Sequence, residues 1–312
     1  MTKKADKEVP YNLAPLMAGL ESGEIKYVEP EDTFKFDCVA CGGCCMNKDV
    51  MVNPHDIWMM FESGVAQTLG FNKTADLFSD VHAPLHLTLG GNSGAPVCII
   101  EFRPVSEPKE GEPPPLTICP FAAPVLELKD VDGAREKMKK FAEADFEDPK
   151  EAYEVLQELA STKTTETGMP QFLCALHKAK PTICRAYPIG RAGVKTQEDK
   201  TLPFDMKYIQ VPLTCGEAKT EWTVQGWVDK WDLVERYKGS DAHYAVAGFI
   251  AQNKDKLPEE VRWAAANILF NFDMWGARDI EGMTFDGVVR KTMNFLEDFL
   301  EQANKAGADN SV

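Results

Sequence analysis

The sequence predicts an α+β protein, mainly α with a few short strands, in which a cysteine-rich domain is followed by a helical C-terminal layer. Three observations carry that expectation. Helical periodicity runs from Thr223 onward, a strand-turn-strand pattern occupies 85–103, and CVACGGCC (residues 38–45) packs four of the nine cysteines into eight residues.

In chain order, residues 1–33 are polar and broken by Pro10, Pro15 and Pro30, so they read as an N-terminal tail or wrapping arm. Residues 34–222 hold every cysteine and form the cysteine-rich domain. Just after the cysteine loop, Asn53-Pro54-His55-Asp56-Ile57-Trp58 supplies an N-cap residue, proline at the first helical position, an acid in the first turn and then apolar residues. His55 and Asp56 therefore suit helix-start roles better than catalytic ones. LHLTLGGNSGAPVCIIEFR (85–103) reads as two strands around a glycine-rich turn, and 104–115 as a proline-rich surface loop. Residues 131–161 have helical composition without a strong apolar stripe, and TKTTETG (162–168) breaks the chain, so about 120–170 reads as an exposed insertion.

The region 223–312 is helical throughout, with no internal repeat. Its last helix spaces Phe285, Val288, Val289, Met293, Leu296, Phe299 and Leu300 along one face. A stripe of that kind is core packing rather than a cofactor box.

A chain of 312 residues buries a core without needing cysteine staples. No apolar signal-peptide region opens the sequence and no stretch approaches the ~20 apolar residues of a membrane span, which predicts a cytoplasmic protein with no membrane association. In a reducing compartment clustered cysteines are metal-binding or catalytic more often than disulfide-bonded, and an odd total fits full pairing badly. With 34 basic against 49 acidic residues, the net charge is −15 and no basic stripe appears, so nucleic acid is not an expected partner. A basic protein surface or a redox partner protein suits that field better.

Cys38, Cys41 and Cys44 form C-x2-C-x2-C, the spacing that puts three thiolates on one iron–sulfur cubane with a remote Cys-Pro as fourth ligand, and Cys119-Pro120 has that form. The run departs from the ferredoxin pattern in continuing with an immediate Cys45. Zinc in a knuckle layout calls for a second C-x2-C, and the chain has none. Neighbouring side chains tend to diverge, so the doubled Cys44-Cys45 points to a second centre or to one larger cluster ligated on two sides. Gly42 and Gly43 permit φ > 0 and close approach of backbone N–H groups to bridging sulfides, or simply make a turn.

CVACGGCC, ICPFAAP around Cys119, the segment from Cys174 through Cys184-Arg185-Ala186-Tyr187-Pro188, and Cys215-Gly216 followed by EWTVQGW together resemble the YkgJ-like cysteine-cluster family, the CxxCxxCC zinc- or iron-chelating proteins. The resemblance spans roughly residues 34–230. It implies eight metal-ligating cysteines: Cys38, Cys41, Cys44, Cys45, Cys119, Cys174, Cys184 and Cys215. Two [4Fe-4S] centres, or a mixed iron and zinc pair, would use them all. Cys98, in PVCIIEF, is left over and reads as a small buried hydrophobe.

Flagellin lysine methylases are similar in the cysteine region, which implies cluster-dependent methyl transfer from S-adenosylmethionine. Against that, radical chemistry on S-adenosylmethionine needs C-x3-C-x2-C, and LTLGGNSGAP continues into a second strand rather than a cofactor-binding helix.

His177, between Cys174 and Cys184, is a candidate ligand or proton carrier, although a lone histidine is usually a hydrogen-bonding surface residue. His82 and His86 are spaced i, i+4, but Pro84 opposes the helix that a zinc pair would need. Arg185 is placed to offset cluster charge or hold a carboxylate, and Tyr187-Pro188 to fix the turn that aims Cys184. A cysteine nucleophile paired with histidine is a further option. The leading expectation is one or two [4Fe-4S]-type centres in a redox or electron-transfer role, or serving a cluster-dependent enzyme. A methyltransferase and a zinc-stapled interaction module are the alternatives.

Overall fold

The computed structural model describes residues 14–38, 43–48, 50–78, 83–90, 93–105, 115–128, 160–164, 171–195, 204–213 and 216–309. Among them helix accounts for 47% and strand for 23%. The class is therefore mixed α+β, with more strand than the sequence pattern announces.

The chain opens with α1 (Ala14–Ser22), β1 (Lys26–Val28) and β2 (Thr33–Asp37), followed by a short 3-10 turn at Gly43–Cys45. Next come α2 (Pro54–Glu62), α3 (Val65–Thr68) and the hairpin β3 (Leu85–Leu89) and β4 (Pro96–Ile100). Five short strands follow: β5 (Arg103–Pro104), β6 (Thr117–Ile118), β7 (Ala122–Pro124), β8 (Leu126–Leu128) and β9 (Ala160–Thr162). Then β10 (Phe172–Cys174) leads through a 3-10 turn at His177–Ala179 into α4 (Thr182–Ala186), β11 (Ile189–Lys195), β12 (Phe204–Gln210) and β13 (Glu217–Thr223). The chain ends with α5 (Val224–Lys230), α6 (Leu233–Gln252), α7 (Glu259–Phe270) and α8 (Phe285–Asp309).

All described strand pairings are antiparallel. The largest sheet has the order β1-β12-β11, so the segment read as a tail contributes an edge strand, with Lys26 opposite Gln210. The 85–103 expectation holds, with Leu85 opposite Ile100 and Leu89 opposite Pro96. Within the expected insertion, β7 pairs with β10 and β8 with β9, and residues 129–159 lie outside the described set. So do residues 106–114 of the proline-rich loop.

Helix α2 starts as its sequence dictates. The Asn53 side chain accepts from the Asp56 N–H at 2.9 Å, the Asp56 carboxylate accepts from the Asn53 N–H at 3.2 Å, and Pro54 begins the helix. Its inner face, with Ile57, Trp58 and Phe61 buried, meets Phe272, tilted against Trp58 with ring centroids 5.0 Å apart and edge to face with Phe61 at 6.3 Å. The predicted stripe of α8 is buried at Phe285, Val288 and Leu296, each worth about 1.5–3 kcal/mol on burial. Gly239 in α6 packs against the His55 ring so closely that any Cβ would collide with it, which sets how near α6 comes to α2.

One core joins the two stretches of the chain. Val50, Ile57, Ile100, Cys119, Phe121 and Leu176 pack in the same cluster as Val246, Leu269, Phe272 and Leu296. A second cluster gathers Phe34, Phe36, Ile189, Trp227 and Leu233 under the sheets. Among the described residues no helix is long and apolar enough to cross a membrane.

His243, buried in α6 against the Phe270 ring, has no partner for Nε2. Burial pulls its pKa down to about 4 despite a hydrogen bond to the Pro96 backbone. The unfolded chain thus takes up this proton first as pH falls. Stability linked to His243 is complete above about pH 6.5 and falls by about 3 kcal/mol as pH drops towards 4. His55, whose pKa burial also lowers, acts in the same direction. Urea denaturation from pH 7.5 to 4.5 is expected to show that decline and a shallower one in His243→Leu; equal slopes in the two proteins would rule out the assignment.

Candidate metal centre

Four local structures deliver cysteines to one place. The 3-10 turn at Gly43–Cys45 presents Cys44 and Cys45 side by side, their sulfurs 3.8 Å apart. Neighbouring residues were expected to diverge. Here the two sulfurs instead approach to contact distance.

Cys119 is tied to that turn through its own backbone. Its N–H donates to the Cys45 carbonyl at 2.8 Å, the Asn47 N–H donates to the Thr117 carbonyl at 3.0 Å, and Met46 bridges Ile118. Cys174 follows from the β7–β10 ladder, in which it lies opposite Ala122, and the Ala175 N–H donates to the Phe121 carbonyl at 2.8 Å. The chain thus leaves at Cys119 and returns at Cys174 beside it.

Cys184 is carried by α4, whose first residue is anchored in the core. The buried Asp56 carboxylate accepts from the Thr182 N–H at 2.9 Å and from its hydroxyl at 2.6 Å. Asp56 thus ends one helix-start network and begins another. Burial pushes its carboxyl above the usual range, while the bonds from Thr182 and Asn53 and the Arg236 guanidinium, 4.0 Å away, pull it back.

Cys44, Cys45, Cys119, Cys174 and Cys184 line one narrow cavity of about 20 Å³, the size of a single water. Its other walls are apolar, formed by Val50, Ile100, Phe102, Phe121 and Leu176, with Lys180 as the one charged side chain among the described residues. Burial and mutual repulsion raise the thiols: Cys119 to about 11, and Cys45, Cys174 and Cys184 also upward, Cys45 chiefly through its contact with Cys44. Such thiols stay protonated at neutral pH unless a cation replaces their protons. Lys180 is affected in reverse. Burial alone would lower its ammonium, yet the negative charge of Cys44, Cys184, Cys174 and Cys38 in their ionised form holds it above its ordinary value.

The remaining candidates distribute as follows. Cys38 is exposed at the end of β2. Cys41, Gly42 and Cys215 lie outside the described residues, while Gly43 opens the 3-10 turn. Glu217, two residues beyond Cys215 in the chain, pairs with Asp37, the residue before Cys38. Gly216, at φ +85°, sits against the Phe36 ring and the Asp37 carbonyl where no side chain fits.

Cys98 is buried in β4 and is not part of the cavity wall. His177 is exposed and outside the cavity, His86 lies on β3, and His82 is outside the described residues. Arg185 donates through one nitrogen to the His177 carbonyl at 2.9 Å and the Lys178 carbonyl at 2.8 Å, with its guanidinium 5.7 Å from the centre of the Trp231 ring. The Tyr187 hydroxyl donates to the Pro212 carbonyl at 3.2 Å, and the Tyr187-Pro188 bond is cis.

A lone zinc ion bound at ~2.3 Å by four thiolates would hold its sulfurs about 3.8 Å apart. Cys44 and Cys45 meet that spacing. Among the described residues, however, no three His, Cys, Asp or Glu side chains are gathered closely enough to close such a site.

Sequence reasoning missed Lys180, Asp56 as the anchor of α4, and Arg236, which donates to the Lys180 carbonyl at 3.0 Å. The only signal for Lys180 was its place between Cys174 and Cys184, which Lys178 shares. No family model matches this chain, and neither a curated protein nor a solved structure does.

Proposed function

We propose that this protein binds an iron–sulfur cluster of [4Fe-4S] type through the cysteines of the buried cavity, and that it uses the cluster for electron transfer or as the redox part of an enzyme. One observation carries the reading: five thiols from four separate segments line a single apolar cavity whose wall, among the described residues, includes no carboxylate and no histidine. An all-sulfur donor set selects thiophilic metals. A cluster contributes its own iron and sulfide between the thiolates, so it does not demand the short sulfur spacing of a single ion. The resemblance to the CxxCxxCC family supports the same donor set and adds Cys38, Cys41 and Cys215.

When bound, the cluster would supply one-electron chemistry. The protein's own part is to hold the thiolates, to keep water out with Phe102, Phe121 and Leu176, and to balance their charge with Lys180. The acidic chain, at −15, suits a basic partner surface for electron exchange.

Anaerobic purification followed by iron, zinc and sulfide analysis is expected to give iron and acid-labile sulfide in equal amounts, with a broad visible band that bleaches on reduction. Zinc without sulfide after careful reconstitution would replace this reading with that of a zinc-stapled module.

A further inference from the structure

We propose that Lys180 is the built-in counter-cation of the cysteine cavity, a positioning residue whose ammonium group tunes the reduction potential of whatever cluster the thiols hold. The inference rests on the iron–sulfur reading and deepens it.

Among the described residues Lys180 is the only charged side chain in the cavity wall, and no described carboxylate there competes for it. Its backbone is unusually well tied down for a loop residue. The Arg236 guanidinium donates to the Lys180 carbonyl at 3.0 Å and to the Lys178 carbonyl at 3.4 Å, and Arg185 donates to the carbonyls of His177 and Lys178. Pro181 follows directly and is buried in the cavity wall. Two arginines therefore spend their hydrogen bonds on fixing the segment that aims one lysine, while their own charges stay outside the cavity wall.

A lysine on a free surface loop would turn its ammonium to water, since solvation costs nothing there and burial is expensive. The segment 177–181 instead delivers it among thiols. Each thiolate that binds metal adds negative charge to an apolar enclosure, and reduction adds one more. A fixed positive charge in that enclosure stabilises the reduced state more than the oxidised one, because the interaction grows with the cluster's charge and is poorly screened there. Removing the charge should make the centre harder to reduce.

The test compares anaerobically reconstituted wild type with Lys180→Met and Lys180→Arg, measuring iron and sulfide per chain and the potential by EPR-monitored titration. Lys180→Met is expected to retain its iron and sulfide and to shift the oxidised-to-reduced ratio at fixed potential at least about tenfold towards oxidised, about 59 mV for one electron. Lys180→Arg should return most of that shift. An intact cluster with unchanged potential in Lys180→Met overturns the proposal. If Lys180→Met fails to assemble a cluster while Lys180→Arg assembles one, the charge serves assembly rather than potential and the tuning proposal falls; if neither assembles, the side chain's shape rather than its charge is what matters and it falls likewise. Wild type without iron and sulfide removes the iron–sulfur reading itself, an outcome distinct from either.

Discussion

Replacing Asp56 by alanine is expected to destabilise the protein by about 3–5 kcal/mol, the cost of breaking a buried ionic network by removing one partner. Asp56 is 1% exposed and Arg236 6%. Truncation leaves the Thr182 N–H and hydroxyl and the Asn53 N–H without their acceptor and removes the counter-charge of the Arg236 guanidinium, which keeps only its bonds to the Lys180 and Lys178 carbonyls. Asp56→Asn keeps an acceptor oxygen and the volume, so a smaller loss of about 1–3 kcal/mol follows. Urea denaturation followed by far-UV circular dichroism separates the two, with the same m-value in both if the folded and unfolded states keep their surfaces. A loss under about 1 kcal/mol in Asp56→Ala would mean that the network adds little to folding. Because Thr182 opens the helix that carries Cys184, and Arg236 holds the segment that carries Lys180, the same variant should also lower iron retention. Asp56 thereby couples the stability of the core to the geometry of the cavity.

Much of this architecture is written in local patterns. The α2 capping box, the 85–100 hairpin and the stripe of α8 each depend on residues within one or two turns of each other, and all three appear where the sequence places them. What is not legible is pairing across distance. Nothing near Lys26 announces Gln210, and the β11–β12 ladder, from Ile189 opposite Gln210 to Lys195 opposite Phe204, is set by register rather than by a recognisable turn. The same holds for the cavity. C-x2-C-x2-C-C marks a candidate ligand loop, and Cys119, Cys174 and Cys184 are readable as cysteines of interest, yet their convergence follows from β7 meeting β10 and from Asp56 reaching Thr182 across 126 positions. Lys180 differs from Lys178 only in where the fold sends it, and so no sequence pattern distinguishes the two.

Changing Cys45 to serine is expected to cut iron and sulfide per chain at least about tenfold, a loss on the scale of ligand-shell defects. Of the two adjacent cysteines, Cys45 is the one whose backbone carbonyl receives the Cys119 N–H and whose side chain packs against the main core. Its sulfur is thus fixed relative to Cys119, and a displaced oxygen there has no means of adjusting. Cys44 lies one step nearer the glycines. If a single four-thiolate cluster fills the cavity, one of the five thiols is surplus, and Cys44→Ser should retain most of its iron and sulfide with an altered spectrum. If both cysteines ligate, from two centres or one larger cluster, the two variants should lose metal alike. Full iron and sulfide with an unchanged spectrum in Cys45→Ser would remove this residue from the ligand set. Serine at either position removes a sulfur without opening a large void, so the fold should lose no more than about 1–3 kcal/mol, which far-UV circular dichroism and urea midpoints check. A loss of metal from a protein that still folds is then a statement about ligation. The doubled cysteine, its sulfurs 3.8 Å apart, becomes the place where one cluster is told from two.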